Sequence, residues 1–474
     1  MKRILSIFVA LIVLASCKKV LNIEPVDYAE NDVVISSPAD LYYIVESIYD
    51  GMQSGNVLGG NRIIFADLLA DDATVIESNL SAFGTLEMYN RTMSSQIGDL
   101  RSMWRDGYST INRANNVIKA VDDGVLDSHE DYVKEDFDLY KATALFARAS
   151  VHFEMVRFWA QPYDPESSNN TQSGIPYRLE PTLAGPDNLE MARNTVEEVY
   201  DNAVTDLLEA IALLEPLGNG SDIYDSWDKY RIDQWAIKAY LTRIYFYGGD
   251  YTAAADIGNE VINSGIFQLT DEPRTNFTQA GAESTSDQIF QLISISEDQS
   301  GNPSWGYSRF GSPLFMPNSA MQLYHENDIR LDNTKGFLYT SFFGDSTIAK
   351  YDLPNANSGI NMCVLRLAEV YLNVAEANLS QGGNGNSQKA FDLYSELYEI
   401  RADSVLTMPP TDDSLLTLIQ LERRLELMYE GDRYHNLKRM KMKVRGGVSY
   451  SNPSLLFKIP QEEMSGNSLM EQNP

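Results

Sequence analysis

The chain has 474 residues, with 37 Lys and Arg against 67 Asp and Glu and a formal net charge of -30. That balance excludes a nucleic-acid surface, which needs a cationic stripe to displace counterions from phosphates. A hydrophobic share of 43%, with 18 Phe, 27 Tyr and 5 Trp, supplies a packed core, while only two cysteines, Cys17 and Cys363, exclude a disulfide scaffold and any paired-cysteine metal site.

The N-terminus opens with Lys2 and Arg3, continues as an apolar run from Ile4 to Leu14 broken by Ser6, and closes with Ala15, Ser16 and Cys17. A basic start, an h-region of about 11 residues and a small-residue end predict a secretory signal over residues 1–16, well short of the 18 or more apolar residues of a membrane span. Leu14-Ala15-Ser16-Cys17 resembles the bacterial lipobox, which implies that Cys17 becomes the first mature residue and carries lipid. Acyl chains anchor a protein without a spanning helix, and more than one chain is needed for a durable hold. Residues 17–35 are expected to form an extended tether. Cys363, within Cys363-Val364-Leu365, is expected to be a buried small hydrophobe in a helical run.

From Ser36 onward helical periodicity dominates. Ser37-Pro38 predicts a cap and first turn for a helix over 37–53, with Leu41, Ile44, Val45 and Ile48 on one face. Helices are predicted over 95–121, with Ile97, Leu100, Trp104, Tyr108, Ile111 and Val117 inward, and over 134–159, with one apolar side from Phe137 to Met155. Another spans 194–214, where Asn194 or Thr195 precedes Glu197 and Glu198. Residues 233–248 and 252–263, joined through Gly248-Gly249-Asp250-Tyr251, read as a helix hairpin of the tetratricopeptide kind, and 364–379 with 390–401 as a second. Three irregular stretches interrupt the helices: 54–94, 160–190 and 268–360, the last rich in proline and glycine with one strand near Ile289–Ile295. Such insertions are more often functional than idle. The expected fold is therefore mainly α, with tetratricopeptide-like helix pairs, long irregular binding loops and minor short β. Its boundaries are an N-terminal helical region over 36–267 and a C-terminal region over 268–474 within one compact body.

These elements are similar to those of the SusD/RagB lipoproteins of Bacteroidetes. The likeness runs from Cys17 and Asn22-Ile23-Glu24-Pro25 through Trp104, Tyr108, Ile111-Asn112 and Ala114-Asn115, then Arg148 to Phe158 and Arg193-Asn194-Thr195. It continues in Ala236 to Tyr251 and Asp328-Ile329-Arg330, and is most specific in Arg366-Leu367-Ala368-Glu369, Glu422-Arg423-Arg424, Glu430-Gly431-Asp432-Arg433 and Ile459-Pro460. Lys18-Lys19 follow the cysteine where surface-exported members often carry acidic residues. The resemblance implies an outer-membrane lipoprotein facing the extracellular side. It would capture glycan fragments without catalysis and deliver them to a SusC-like TonB-dependent transporter. Peptide or glycopeptide uptake of the RagB type is the alternative, with a hydrolase of the same uptake system or a purely structural lipoprotein behind it.

No HExxH, GxSxG, GxxxxGK[ST] or GxGxxG pattern occurs, so no catalytic residue, cofactor or metal ligand is assigned. Glu422, Glu426 and Glu430, spaced by four, have the spacing of an acid-base or metal group, but the interleaved Arg423, Arg424 and Arg433 predict an ion-pair network instead, with Asp328 and Arg330 in the same role. Asp71-Asp72 read as an acidic surface loop without the ligand spacing of a calcium site. Sugar rings stack on aromatic faces while amides and guanidinium groups bind hydroxyls. The ligand-binding candidates are accordingly Phe83, Tyr89, Asn90 and Arg91 in the first loop and Trp305, Tyr307 and Phe310 in the long one, whereas Trp104, Trp159 and Trp235 are expected in the core.

Overall fold

Ser37 begins the first helix as its sequence requires: its hydroxyl accepts from the Asp40 N–H at 3.3 Å, and the Asp40 carboxylate accepts from the Ser37 N–H at 2.9 Å. The structure, a computed structural model, describes residues 35–75, 77, 80, 85–182, 190–218, 229–295, 301, 303, 307, 314–340, 346–351, 359–380 and 385–474. The signal, and the tether up to residue 34, fall outside that set. Helix α1 spans Pro38–Gln53, α2 Gly60–Leu69, α3 Leu86–Asn90, α4 Gly98–Asp122 and α5 Lys134–Trp159. Helix α6, Val196–Leu214, starts with a second reciprocal cap, Thr195 with Glu198.

Two of these depart from expectation. The stretch 54–94 contains α2, in which every residue from Arg62 to Leu69 is buried. With no polar face left, its periodicity vanished and the segment read as loop. Helix α5 was expected to have one apolar side, yet every residue from Ala142 to Trp159 is buried, because α1, α4, α6 and the next helix enclose it. Its small residues, Ala142, Ala144, Ala147 and Ala149, let neighbours approach, and its polar ones find partners inside. Arg148, for example, grips Asp206 with two bonds of 2.7 Å.

Helices α7 (Gln234–Gly248) and α8 (Tyr251–Ile262) form the first hairpin, and α9 (Leu367–Ser380) and α10 (Ser387–Ala402) the second. Helix α8 packs on α9. At their crossing a Cβ on Gly258 would lie 2.3 Å from Val374 Cγ2, so only glycine permits the approach. Helices α11 (Asp412–Glu426) and α12 (Asp432–Arg439) follow, with α11 against α9 and α12 against α2.

Short strands join distant segments. β1 (Thr74–Val75) pairs antiparallel with β3 (Leu314–Phe315), β2 (Gln288–Leu292) with β6 (Met362–Arg366), and β4 (Leu338–Thr340) with β5 (Ser346–Ile348). Cys363 is therefore on a strand and not in a helical run. β2 and β6 are buried throughout, which removes the apolar-polar alternation that would have marked β6 as a strand. The thiol is buried, and desolvation pushes its pKa up, which makes it inert. Trp104 and Trp159 lie in the core and Trp235 is half-buried against it. Among the described residues, most buried apolar side chains from Leu41 to Met470 fall in one cluster, and Ala368, Leu372, Leu397 and Leu427 form a second, smaller one.

Candidate functional site

A dense set of buried charged side chains lies inside the C-terminal half. Glu422 and Glu426 sit on α11, and Glu430 just beyond its end, where Tyr429 and Gly431 take left-handed backbone angles. Arg330 reaches Glu422 at 2.6 Å, Glu426 at 3.0 Å and Asp328 at 2.7 Å. Arg366 reaches Glu426 and Glu430, both at 2.6 Å, and Arg401 reaches Glu426 at 3.0 Å. Burial alone would push the Glu426 carboxyl up, but Arg401, Arg366 and Arg330 together hold it well below the usual carboxylate range. Lys350, whose ammonium donates to Glu430 and to the carbonyls of Glu426 and Met428, is pushed down to about 8 by the same burial. This is an ion-pair clamp, fixing the long loop, β6 and α10 to α11.

Asp71 and Asp72 belong to a second clamp and do not form an acidic surface loop. Arg424 holds Asp72, which is buried, at 2.5 Å, and Arg433 holds Asp71 at 2.7 Å. Sequence reading missed this because the partners are about 350 residues apart. Among the described residues, no group of three or more His, Cys, Asp or Glu side chains is placed to hold a metal ion.

The first loop carries Tyr89, Asn90 and Arg91. Asn90 is exposed, Tyr89 and Arg91 are half-buried, and Arg91 ends α3 in the left-handed region with φ 57°. The Arg445 guanidinium lies 3.6 Å from the Tyr89 ring centroid, so one face of that ring is taken by a cation-π contact. Arg445 donates to the carbonyls of Tyr89 and Leu68, and Arg91 Nη2 donates to the Arg445 carbonyl at 2.8 Å. Desolvation and the neighbouring Arg445 charge hold the Arg91 pKa down. Arg445 is the residue that sequence reading missed, since nothing local to it signals contact with α3. What this corner offers a ligand is the exposed Asn90 amide beside a guanidinium.

The long loop's Tyr307 is placed differently from expectation. It is fully buried, its hydroxyl donates to Asp67 on α2, and its ring packs on Tyr351 and Tyr429 at centroid distances of 5.6 and 5.4 Å. An aromatic ring with a polar tip meets both needs in the interior, so Tyr307 braces the loop and is not a solvent-facing platform. Burial pushes Asp67 up to about 8, and its second carboxylate oxygen has no hydrogen-bond partner among the described residues. Phe83, Trp305 and Phe310 lie outside the described residues.

The structure nonetheless brings the first loop and the long loop together. Thr74 pairs with Phe315 and Val75 with Leu314, while the Gly301 carbonyl accepts from the Gly60 N–H at 2.5 Å and the Gly301 N–H donates to the Gln53 carbonyl at 3.3 Å. A Cβ on Gly301 would lie 2.2 Å from Gly55 Cα, so the two chains meet backbone to backbone. Beside this seam, between the end of α1 and the middle of α4, opens a polar pocket of about 390 Å³.

Two family models together cover residues 25–454. Residues 25–246 match a SusD-like model described as "Starch-binding associating with outer membrane", and residues 215–454, half of the chain, match the SusD family model. The chain belongs to the SusD family. SusD proteins bind nutrients at the outer membrane and generally pair with SusC-like transporters. Among its relatives are SusD-like protein P2 of Formosa agariphila, 24% identical with 99% of each chain covered, and SusD-like protein P38 of the same organism, 22% identical over 98% of this chain and 97% of the relative. Among solved structures, a Bacteroides vulgatus chain described as a proposed sugar binding protein is 26% identical, with a TM-score of 0.77 over 92% of this chain and 98% of that one. A SusD superfamily protein from Bacteroides thetaiotaomicron, 22% identical, gives the same TM-score over 92% of this chain and 99% of that one. The arrangement of helices described above is thus one that this SusD protein shares with those solved structures. Among its described residues no helix is long and apolar enough to cross a membrane.

Proposed function

We propose that this SusD protein captures extracellular glycan fragments without cleaving them and passes them to a SusC-like TonB-dependent transporter. In this reading the helix pairs are a tetratricopeptide-like scaffold, and lipid on Cys17 holds the body at the outer membrane, facing outward. The observation that carries the choice of glycan is the likeness to the Bacteroides vulgatus chain described as a proposed sugar binding protein, over nearly the full length of both. The non-catalytic part is supported by the fate of the carboxylates: Glu422, Glu426 and Glu430 are paired with Arg330 and Arg366 in the interior.

The contact face is assigned to Phe83, Tyr89, Asn90 and Arg91 with Trp305 and Phe310. Calorimetric titration of the mature chain against a panel of polysaccharides should find a ligand. Trp305→Ala should then weaken that binding about tenfold or more, at least roughly 1.4 kcal/mol, with the melting transition unchanged. Normal glycan binding by the variant removes Trp305 from the face. Binding of peptides by a chain that ignores every glycan overturns the glycan reading in favour of RagB-type uptake, and release of reducing ends abolished by one carboxylate substitution makes it a hydrolase.

The anchor has its own test. Cys17→Ala should release the folded protein from outer-membrane fractions, because the lipid supplies the hold. Metabolic labelling that finds no acyl chain on the wild-type protein removes the anchor.

A further inference from the structure

The pocket beside the Gly55–Gly301 seam is walled by Asp50 and Gln53 from the end of α1 and by Asp106, Ser109 and Arg113 from α4. Its volume lies at the lower end of small-molecule sites, about 300–1,000 Å³. Gln53 is 9% exposed, lines the pocket, and has no hydrogen-bond partner for its side-chain amide among the described residues. Its amide therefore has donors and an acceptor to offer to water or a ligand. Around it the polar groups are fixed: Asn56 Nδ2 donates to the Asp106 carboxylate at 2.8 Å, and Arg113 Nη1 donates to the Ser47 carbonyl at 2.6 Å while reaching Asp50 at 3.4 Å.

We infer that this pocket binds one neutral pyranose residue of the captured glycan, an end or branch residue, through hydrogen bonds to its hydroxyl edges. The inference rests on the glycan reading above. Carboxylates accept from vicinal hydroxyls, while the Gln53 amide, the Ser109 hydroxyl and the Arg113 guanidinium supply both donors and acceptors, the mixture a polyol needs. None of the described lining residues is aromatic, so these groups recognise a sugar by hydroxyl geometry and not by stacking. Asp50 is paired with Arg113 at 3.4 Å and Asp106 with Arg105 at 2.8 Å, so each of these guanidinium groups already has its carboxylate, and the chain carries -30 overall, which disfavours a uronate or sulfated sugar.

Saturation-transfer NMR on the mature full chain with millimolar D-glucose, D-galactose, D-mannose and D-glucuronate tests this. At least one neutral hexose should receive saturation and glucuronate should not. Ser109 is exposed, so Ser109→Trp fills the pocket without disturbing the core and should abolish the hexose signal with circular dichroism unchanged. Gln53→Met, of similar volume, should weaken binding at least fivefold. No signal from any hexose on the folded wild type, an undiminished signal in S109W, or stronger binding of glucuronate overturns the proposal. Hexose binding that S109W abolishes in a chain unable to bind polysaccharide supports the pocket while overturning the capture reading. Polysaccharide capture that W305A weakens, in a chain whose pocket ignores hexoses, does the reverse.

Discussion

Replacing Glu426 by alanine is expected to destabilise the protein by about 3–5 kcal/mol, because removing one member of a buried charge network leaves its partners unpaired in low dielectric. Glu426 is 0% exposed and answers three arginines at once, Arg330, Arg366 and Arg401, which are themselves buried. Urea denaturation of the mature chain measures the loss directly. Were Glu426 instead a ligand or catalytic carboxylate, E426A would retain its urea midpoint and lose binding or turnover, which is the result that would refute the clamp. A concerted replacement of the whole network by well-packed apolar residues should cost far less than the single change, since the desolvation penalty then disappears with the charges.

The second large effect belongs to Glu154 on α5. Its carboxylate accepts from Arg157 at 3.0 and 3.2 Å, Arg62 at 3.4 Å and the Tyr240 hydroxyl at 3.0 Å, and Arg243 lies 3.5 Å away. Burial would raise its pKa, but Arg62, Arg157 and Arg243 outweigh burial and lower it from 4.5 to about 2. A folded-state pKa below the unfolded one means a contribution fully present above about pH 4.5 and lost as pH falls through about 2. Glu154→Gln should therefore cost about 3–5 kcal/mol at pH 7, and the gap between variant and wild type should narrow as pH is lowered from 4.5 toward 2. Equilibrium unfolding across that pH range checks the sign, and a gap that stays constant would show that the Glu154 charge is not what stabilises α5.

The sequence by itself determined whatever depends on neighbours three or four residues apart. Ser37 with Asp40 and Thr195 with Glu198 mark helix starts because a cap needs only its own first turn, and α7, α8, α9 and α10 follow from amphipathic spacing and the polar turns between them. The net charge excluded a nucleic-acid partner, and the arginines interleaved with Glu422, Glu426 and Glu430 were sufficient to indicate ion pairing over catalysis. Where burial is complete the periodic signal disappears, which is why α2 read as loop, β6 as helix and α5 as one-sided. Tyr307 shows the same limit in a side chain: proline and glycine around it signal a loop, but only Asp67, 240 residues earlier, turns its hydroxyl inward. The pairing of Arg424 with Asp72, the cover that Arg445 gives Tyr89, and the Gly55–Gly301 seam beside the Gln53 pocket likewise depend on which distant segments the fold brings within a few ångströms. Such contacts are fixed by the competition of whole packed arrangements, and no local pattern in the chain encodes them.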